Sequence, residues 1–296
     1  MTRLTILSPG ALALVQDAGR PGFAHLGVGS SGAMDRAAHA LANRLVGNDL
    51  AAATIEILIG GFSARFDEAT WFAVTGAWGE LALSDGTDVA ADVIPVEPHT
   101  ATLAPAGSTL TIGAASAGLR YYLAVRGGID VPPALSSRSR DTLAALGPAP
   151  LAEGSVVPIG GLVRGQIPAV DSVPVGPPSD DVTLGLRPGP REGWFAASSV
   201  DRLYHGSWTV SPRSDRTGVR LEGEALERTV TRELPSEGMV AGAIQVSPDG
   251  QPTILAVDHP VTGGYPVIAV VTDDSLDALA QVRPGQQLRF RLATGR

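Results

Sequence analysis

The chain of 296 residues contains no cysteine and no lysine. Without cysteine it has no disulfide, no iron–sulfur ligation and no thiol nucleophile. Without lysine all 22 basic residues are arginine. That excludes a Walker A phosphate loop, Schiff-base chemistry and a biotinylated lysine in this chain, each of which needs an amine on a flexible stem. Long apolar runs are missing too. None approaches the ~20 residues that span a bilayer, and Met1-Thr2-Arg3-Leu4-Thr5-Ile6-Leu7 passes straight into strand-like sequence without a signal-type apolar region. A cytoplasmic protein without membrane contact is therefore expected. The five histidines, His25, His39, His99, His205 and His259, show no ligand spacing such as H-E-x-x-H, so no metal site is expected. A net charge of −8 with no basic block argues against nucleic acid as a partner.

What is present is the texture of an all-β fold. The 36 glycines and 23 prolines punctuate short runs rich in Val, Ile, Leu and Thr, a pattern that suits hairpins closed into a barrel or sandwich, with few helices. Strands are predicted at 4–7, 12–16, 54–59, 71–75, 80–83, 101–104, 109–112 and 119–125, with turns such as Ser84-Asp85-Gly86 between them. A second set is predicted at 183–187, 207–210, 243–246, 253–257, 267–272 and 287–292, with one helix near Ser275–Val282. Nine of the 23 prolines fall between Pro148 and Pro190. Proline at that density cannot sustain a sheet ladder, which puts the domain boundary near residue 175 and gives domains 1–175 and 176–296.

The densest concentration of polar and glycine positions runs from Val15 to Asn48. Glycines at 19, 22, 27, 29 and 32 permit positive φ and close approach of a ligand, which Asp17, Arg20, Asp35 and Asn43 would read. The same residues also suit a tight, capped turn region that orders a β-domain. Gly27-Val28-Gly29-Ser30-Ser31-Gly32 fits the dinucleotide pattern G-x-G-x-x-G. It lacks the strand that must precede that pattern and the βαβ context that must follow, so a nicotinamide or flavin site is rejected. Apolar residues at helical spacing predict a helix over Ala33–Leu45, and its glycine-fronted start would hold a carboxylate or other small anion. Neither Ser30 nor Ser31 sits in a nucleophile elbow.

Two clusters stand out in the second half. Ser214-Asp215-Arg216-Thr217-Gly218-Val219-Arg220-Leu221-Glu222-Gly223 puts Asp215 and Arg216 on a turn before a strand, either as a surface ion-pair network or as a ligand site. The guanidinium fork of Arg216, like that of Arg20, matches a carboxylate or carbonyl. Gln245, Asp258 and Thr262-Gly263-Gly264-Tyr265-Pro266 form the other cluster, in which the two glycines serve either a tight turn or a substrate-facing loop. Asp17 and Asp258 are the candidates for acid–base work.

Taken together, Gln16-Asp17-x-Gly19-Arg20-Pro21-Gly22, Ser31-Gly32-Ala33-Met34-Asp35, Ala42-Asn43-Arg44-Leu45-Val46-Gly47-Asn48, Ser214-Asp215-Arg216-x-Gly218, Gly242-Ala243-Ile244-Gln245-Val246 and Thr262-Gly263-Gly264-Tyr265-Pro266 resemble the biotin-dependent carboxyltransferase family. The match is to the larger of its two paired subunits, variously called allophanate hydrolase subunit 2, KipA-type or the C-subunit of 5-oxoprolinase. The resemblance implies a mainly β chain of two cyclophilin-like β-barrel subdomains with few short helices. It implies a smaller KipI-type partner (allophanate hydrolase subunit 1-like), a possible third subunit, and a small amide or lactam substrate. Asp17 and Asp258 would be catalytic, and Arg20, Asp35, Asn43, Arg216, Gln245, Thr262, Gly263, Gly264 and Tyr265 would bind substrate. This chain alone would bind no cofactor, and ATP or carboxybiotin would be supplied through partner subunits. Three functions are implied: a subunit of an ATP-dependent 5-oxoprolinase, a carboxyltransferase subunit of a urea carboxylase or allophanate hydrolase-type system, and a regulatory partner of the KipI-type subunit. Some positions depart from the family. Ala13-Leu14 replaces Thr-Thr, Ser136-Ser137-Arg138-Ser139-Arg140 replaces Gly-Ser-Arg-Ser-Thr, and His259-Pro260-Val261 replaces Arg-Gln-Thr, the last implying an altered specificity if that loop faces substrate.

Overall fold

Alternation of side chains across extended segments organises the protein. The computed structural model describes residues 2–85, 93–167 and 175–293. Gly86 of the predicted turn and residues 168–174 of the proline-rich run lie outside them. The chain divides into two compact units, each discontinuous in sequence. Unit 1 comprises Met1–Arg20, Asp35–Arg140 and Ala145–Pro178; unit 2 comprises Pro21–Met34, Asp141–Ala144 and Ser179–Arg296. The last crossing is at Pro178. The short segments 21–34 and 141–144 join the unit that is otherwise built by the second half of the chain.

Unit 1 is a nine-stranded sheet curled into a half-barrel. Its strands are β1 (Arg3–Pro9), β2 (Leu12–Gln16), β3 (Thr54–Leu58), β4 (Phe62–Phe66), β5 (Thr70–Ser84), β6 (Ile94–Pro95), β7 (Thr102–Ala104), β8 (Thr109–Val125) and β9 (Val156–Pro158). They run in the order β2-β3-β8-β4-β1-β9, with β5 paired to β6, β7 and β8. Ile55 and Ile57 of β3 join Leu4, Ile6, Phe62, Phe66, Phe72, Tyr121 and Leu123 in one core. By the period of two, Thr54 and Glu56 occupy the opposite face. The separately predicted segments 71–75 and 80–83 form one strand, as do 109–112 and 119–125. Register shifts between Gly76 and Leu81 bend β5 without ending it. Phe62, Ala64 and Phe66 make β4 a buried alternation that has no counterpart among the predicted strands.

The helix α1 (Arg36–Leu45) buries Ala38, His39, Ala42, Asn43 and Leu45 on one side. It starts three residues later than predicted, because Asp35 is its cap: the Asp35 backbone is extended (φ −99°, ψ 94°) and its side chain accepts from the Ala38 N–H.

Unit 2 is a closed seven-stranded barrel in the order β10-β17-β14-β15-β12-β11-β18, with β10 and β18 closing it in parallel. The barrel strands are β10 (Val182–Pro188), β11 (Ser207–Val210), β12 (Gly218–Glu222), β14 (Ala243–Val246), β15 (Pro252–Leu255), β17 (Val267–Val271) and β18 (Gln287–Leu292), and β13 (Glu237–Gly238) pairs with β16 (Thr262–Gly263) as a separate ribbon. Leu184, Trp208, Leu221, Ile244, Ile254, Ile268, Leu288 and Met34 fill the core. The predicted helix near 275–282 appears as the short α3 (Leu276–Leu279). A further helix, α2 (Ala197–His205), has no predicted counterpart; it has no side-chain cap to announce it.

Candidate functional site

In unit 1, Asp17 organises a loop. Its carboxylate accepts from the Gly19 N–H (2.8 Å), the Ser137 and Ser139 hydroxyls (2.6 Å each) and the Arg138 N–H (2.6 Å). Arg20 is 1% exposed. It donates to the Ala134 carbonyl (3.3 Å) and to that of Ser139, while its Nη1 meets no hydrogen-bond acceptor among the described residues. Together these contacts tie 17–20 to the loop 134–140. Within that loop Leu135 and Ser136 take φ values of 51° and 65°, which explains why glycine suits position 136 in the family pattern.

In unit 2, Asp258 does the same for a different set of turns. It is 1% exposed. Its two oxygens accept from Arg216 Nε (2.9 Å) and Nη2 (3.1 Å), the Ser31 hydroxyl (2.6 Å), and the Thr142 N–H (2.9 Å) and hydroxyl (2.7 Å). Arg216 Nη2 also donates to the Gly32 carbonyl at 2.7 Å. Burial alone would raise the pKa of Asp258. The adjoining Arg216 guanidinium and the hydrogen bonds outweigh that and hold it below the usual carboxylate value. Arg216 is thus a buried bidentate partner, not part of a surface network. Its neighbour Asp215 forms a turn by accepting from the N–H groups of Thr217 and Gly218.

Asp35 and Asn43 flank the buried side of α1. One Asp35 oxygen accepts from the Ala38 N–H at 2.8 Å and caps the helix. The helix start therefore already carries an anionic side chain, and the free anion-holding end expected at Ala33 is not formed. Asn43 is fully buried, donates to the Ala52 carbonyl (2.8 Å) and accepts from the Asn48 amide (3.0 Å), fixing the turn after the helix.

A polar layer that sequence reasoning missed lies beneath α1. The Asp35 N–H donates to the Tyr122 hydroxyl, which donates to Glu56, each at 2.8 Å, and Arg120 stands 3.6 Å from Glu56. His39 Nδ1 lies 3.0 Å from the Thr54 hydroxyl. Burial drives the His39 pKa down to about 4, against the pull of Asp17 and Glu56. The available signal was the alternation Thr54-Ile55-Glu56-Ile57, in which polar side chains repeat on one face of an otherwise apolar strand.

The Thr262–Tyr265 loop sits at the β13–β16 ribbon. The Gln245 amide donates to the Tyr265 carbonyl (3.3 Å) and touches Met239 sulfur (3.3 Å). A Cβ on Gly263 would lie 2.4 Å from Gln245 Nε2, whereas one on Gly264 would meet nothing closer than 3.7 Å. Tyr265 is 47% exposed. Of the residues singled out from sequence, Gln245 and Thr262–Tyr265 come together, as do Arg216 and Asp258, and as do Asp17 and Arg20.

A mainly β chain of this kind, with a closed barrel whose turns are locked by a buried aspartate–arginine pair, belongs to the family described as carboxyltransferase domain, subdomain A and B, which it matches over residues 26–292. It is 38% identical to the C-subunit of 5-oxoprolinase from Escherichia coli (strain K12), covering 97% of this chain and 90% of that protein. It is 32% identical to urea amidolyase of Saccharomyces cerevisiae over 98% of this chain but 16% of that protein. The solved structure of K. lactis urea amidolyase superposes with a TM-score of 0.90 at 28% identity, covering 99% of this chain and 19% of that one. Another solved chain, 34% identical with a TM-score of 0.84, is spanned to 55% of its length. Among the described residues no helix is long and apolar enough to cross a membrane.

Proposed function

We propose that this chain is a subunit of an ATP-dependent 5-oxoprolinase, which opens the lactam of 5-oxoproline to glutamate together with a smaller KipI-type subunit. The observation that carries this reading is how much of the relative the likeness takes in. The match to the 5-oxoprolinase C-subunit takes in 90% of that protein at 38% identity, whereas the urea amidolyase match takes in 16% of that protein at 32%. That the relative is itself named as one subunit of its enzyme supports the need for partners.

In this reading Asp17 and Asp258 are positioning residues. A general base needs a free lone pair and a pKa near the working pH. Asp258 is held ionised with both oxygens engaged, and its task is to fix Arg216 and the turns at Ser31 and Thr142. Asp17 fixes the 134–140 loop in the same manner, with Arg20 as its companion. Asp35 and Asn43 order α1. The Thr262–Tyr265 loop, with an exposed tyrosine and the buried Gln245 behind it, is the segment proposed to face substrate. ATP is proposed to enter through partner subunits. The helix start that would suit a phosphate is capped by Asp35, and the chain has no lysine to reach one.

The likeness to urea amidolyase favours a second reading, a carboxyltransferase subunit served by carboxybiotin from another chain. Co-purification with the smaller and any third subunit, followed by parallel assays, separates the two. Glutamate release from 5-oxoproline that depends on ATP and on every subunit is the expected result. Turnover that instead requires biotin would transfer the assignment to the carboxyltransferase, and a stable complex with no turnover would make the chain a regulatory partner.

A further inference from the structure

Five carboxylates are buried among the described residues, those of Asp17, Asp35, Glu56, Asp141 and Asp258. Four of them are matched by donors. Asp17 and Asp258 are bonded on both oxygens, Asp35 caps α1, and Glu56 takes the Tyr122 hydroxyl beside Arg120. Asp141 of unit 2 is different. It is 2% exposed. Its Oδ1 accepts from the Ala144 N–H at 2.8 Å and closes a surface turn, while its Oδ2 accepts from no protein group among the described residues. The donors next to it in sequence, the Thr142 N–H and hydroxyl, both go to Asp258.

Beside Oδ2 stands a glycine. A Cβ on Gly29 would lie 4.0 Å from Asp141 Oδ2 and 3.2 Å from the His259 carbonyl, so two acceptor atoms flank a position that carries no side chain. His259 leads through Pro260 and Val261 into Thr262, the start of the loop proposed to face substrate. A buried carboxylate oxygen without a donor costs stability, and a carboxylate accepts without donating. Only an N–H or O–H group or a cation completes it. A metal ion is disfavoured, since no three His, Asp or Glu side chains gather into a ligand set among the described residues. A small amide supplies an N–H, and its remaining polar groups are acceptors that Oδ2 repels.

We infer that Asp141 Oδ2 accepts the amide N–H of the substrate and is a specificity-determining residue of this chain. This rests on the reading of the substrate as a small amide or lactam. The carboxylate of 5-oxoproline then points away from Asp141, because two anions repel, and the ring is held by its N–H edge. A charge-assisted hydrogen bond of this kind favours substrates that carry the N–H over isosteres that lack it.

The test compares the parent and Asp141→Asn in the assembled enzyme, with 5-oxoproline as substrate and 5-oxotetrahydrofuran-2-carboxylate, the lactone with oxygen in place of the N–H, as competitor. Asparagine keeps an oxygen for the Ala144 N–H and turns its NH2 group toward the substrate. The expected result is a KM for 5-oxoproline raised at least tenfold with a smaller change in kcat, a thermal midpoint no lower than the parent's, and a parent preference for lactam over lactone that the variant loses. Parent-like KM and preference would overturn the inference and leave the subunit reading intact. A raised KM with the preference unchanged would overturn it too, since Asp141 would then act only through the turn. If Asp141→Asn melts below the parent, Gly29→Ala reads the same position from the facing side, and a parent-like KM there would overturn the inference. A parent complex that releases no glutamate would overturn the proposed function. The comparison would then run on urea in the biotin-dependent assay, where a KM raised in Asp141→Asn upholds Asp141 as the N–H acceptor and a parent-like KM or no turnover overturns that as well.

Discussion

The Asp258–Arg216 pair shows how one interaction fixes several turns. Five hydrogen bonds converge on the carboxylate from Arg216, Ser31 and Thr142. Removing the cation leaves a buried anion short of its strongest partner, so Arg216→Ala should lose roughly 3–5 kcal/mol of stability in denaturant titrations. Because the folded pKa of Asp258 is depressed, the stability it contributes is present above its unfolded value and is lost as pH falls through the folded one. His39 gives the same sign of proton linkage in a different window. Its pKa falls from 6.5 in the unfolded chain to about 4 when buried. As pH drops below 6.5 the unfolded chain takes up the proton first, and stability declines until about pH 4. The loss amounts to roughly 3 kcal/mol across that window. His39→Gln should flatten the stability profile between these two pH values; an unchanged profile would show that His39 does not titrate there.

At the scale of elements, the Thr262–Tyr265 loop depends on its first glycine more than on its second. An alanine at 263 must displace the Gln245 amide, which is buried and already bonded to the Tyr265 carbonyl, whereas an alanine at 264 meets only ordinary contacts. Gly263→Ala should therefore destabilise the protein by about 1–2 kcal/mol and depress activity of the assembled enzyme, with Gly264→Ala close to the parent in both. Equal behaviour of the two variants, measured by thermal melts and turnover, would mean that Gln245 does not shape this loop. The long strands β5 and β8 show the same dependence on small residues. Glycine and small residues near their middles read as breaks between strands, yet they accommodate bulges within continuous ladders, because a bulge shifts register without surrendering the neighbouring hydrogen bonds.

At the scale of the whole molecule, the two units handle their sheet edges differently. The barrel of unit 2 closes through β10 and β18 and leaves no open edge in that barrel. The sheet of unit 1 ends at β2 and β9, with the short strands β6 and β7 along β5. The same architecture serves as a separate subunit in 5-oxoprolinase and as a segment of the much longer urea amidolyase. The fold alone therefore does not choose the reaction.

The sequence by itself determined the mainly β character, the family and most strand positions, because period-two alternation, turn glycines and motif order are local and survive without coordinates. It also determined several chemical exclusions through the absence of cysteine and lysine. Which polar residues meet was decided only by the tertiary structure. Ser31, Thr142, Arg216 and Asp258 are separated by up to 227 residues yet share one buried carboxylate, and no local pattern encodes such a convergence. The helix start after Asp35 was likewise hidden, since the extended, capping Asp35 overrides an apolar spacing that reads as helical from Ala33. The burial of His39, Glu56 and Tyr122 depended on β3, β8 and α1 packing face to face, and the energetic consequence of a charge or an imidazole is set by that burial, not by its neighbours in sequence.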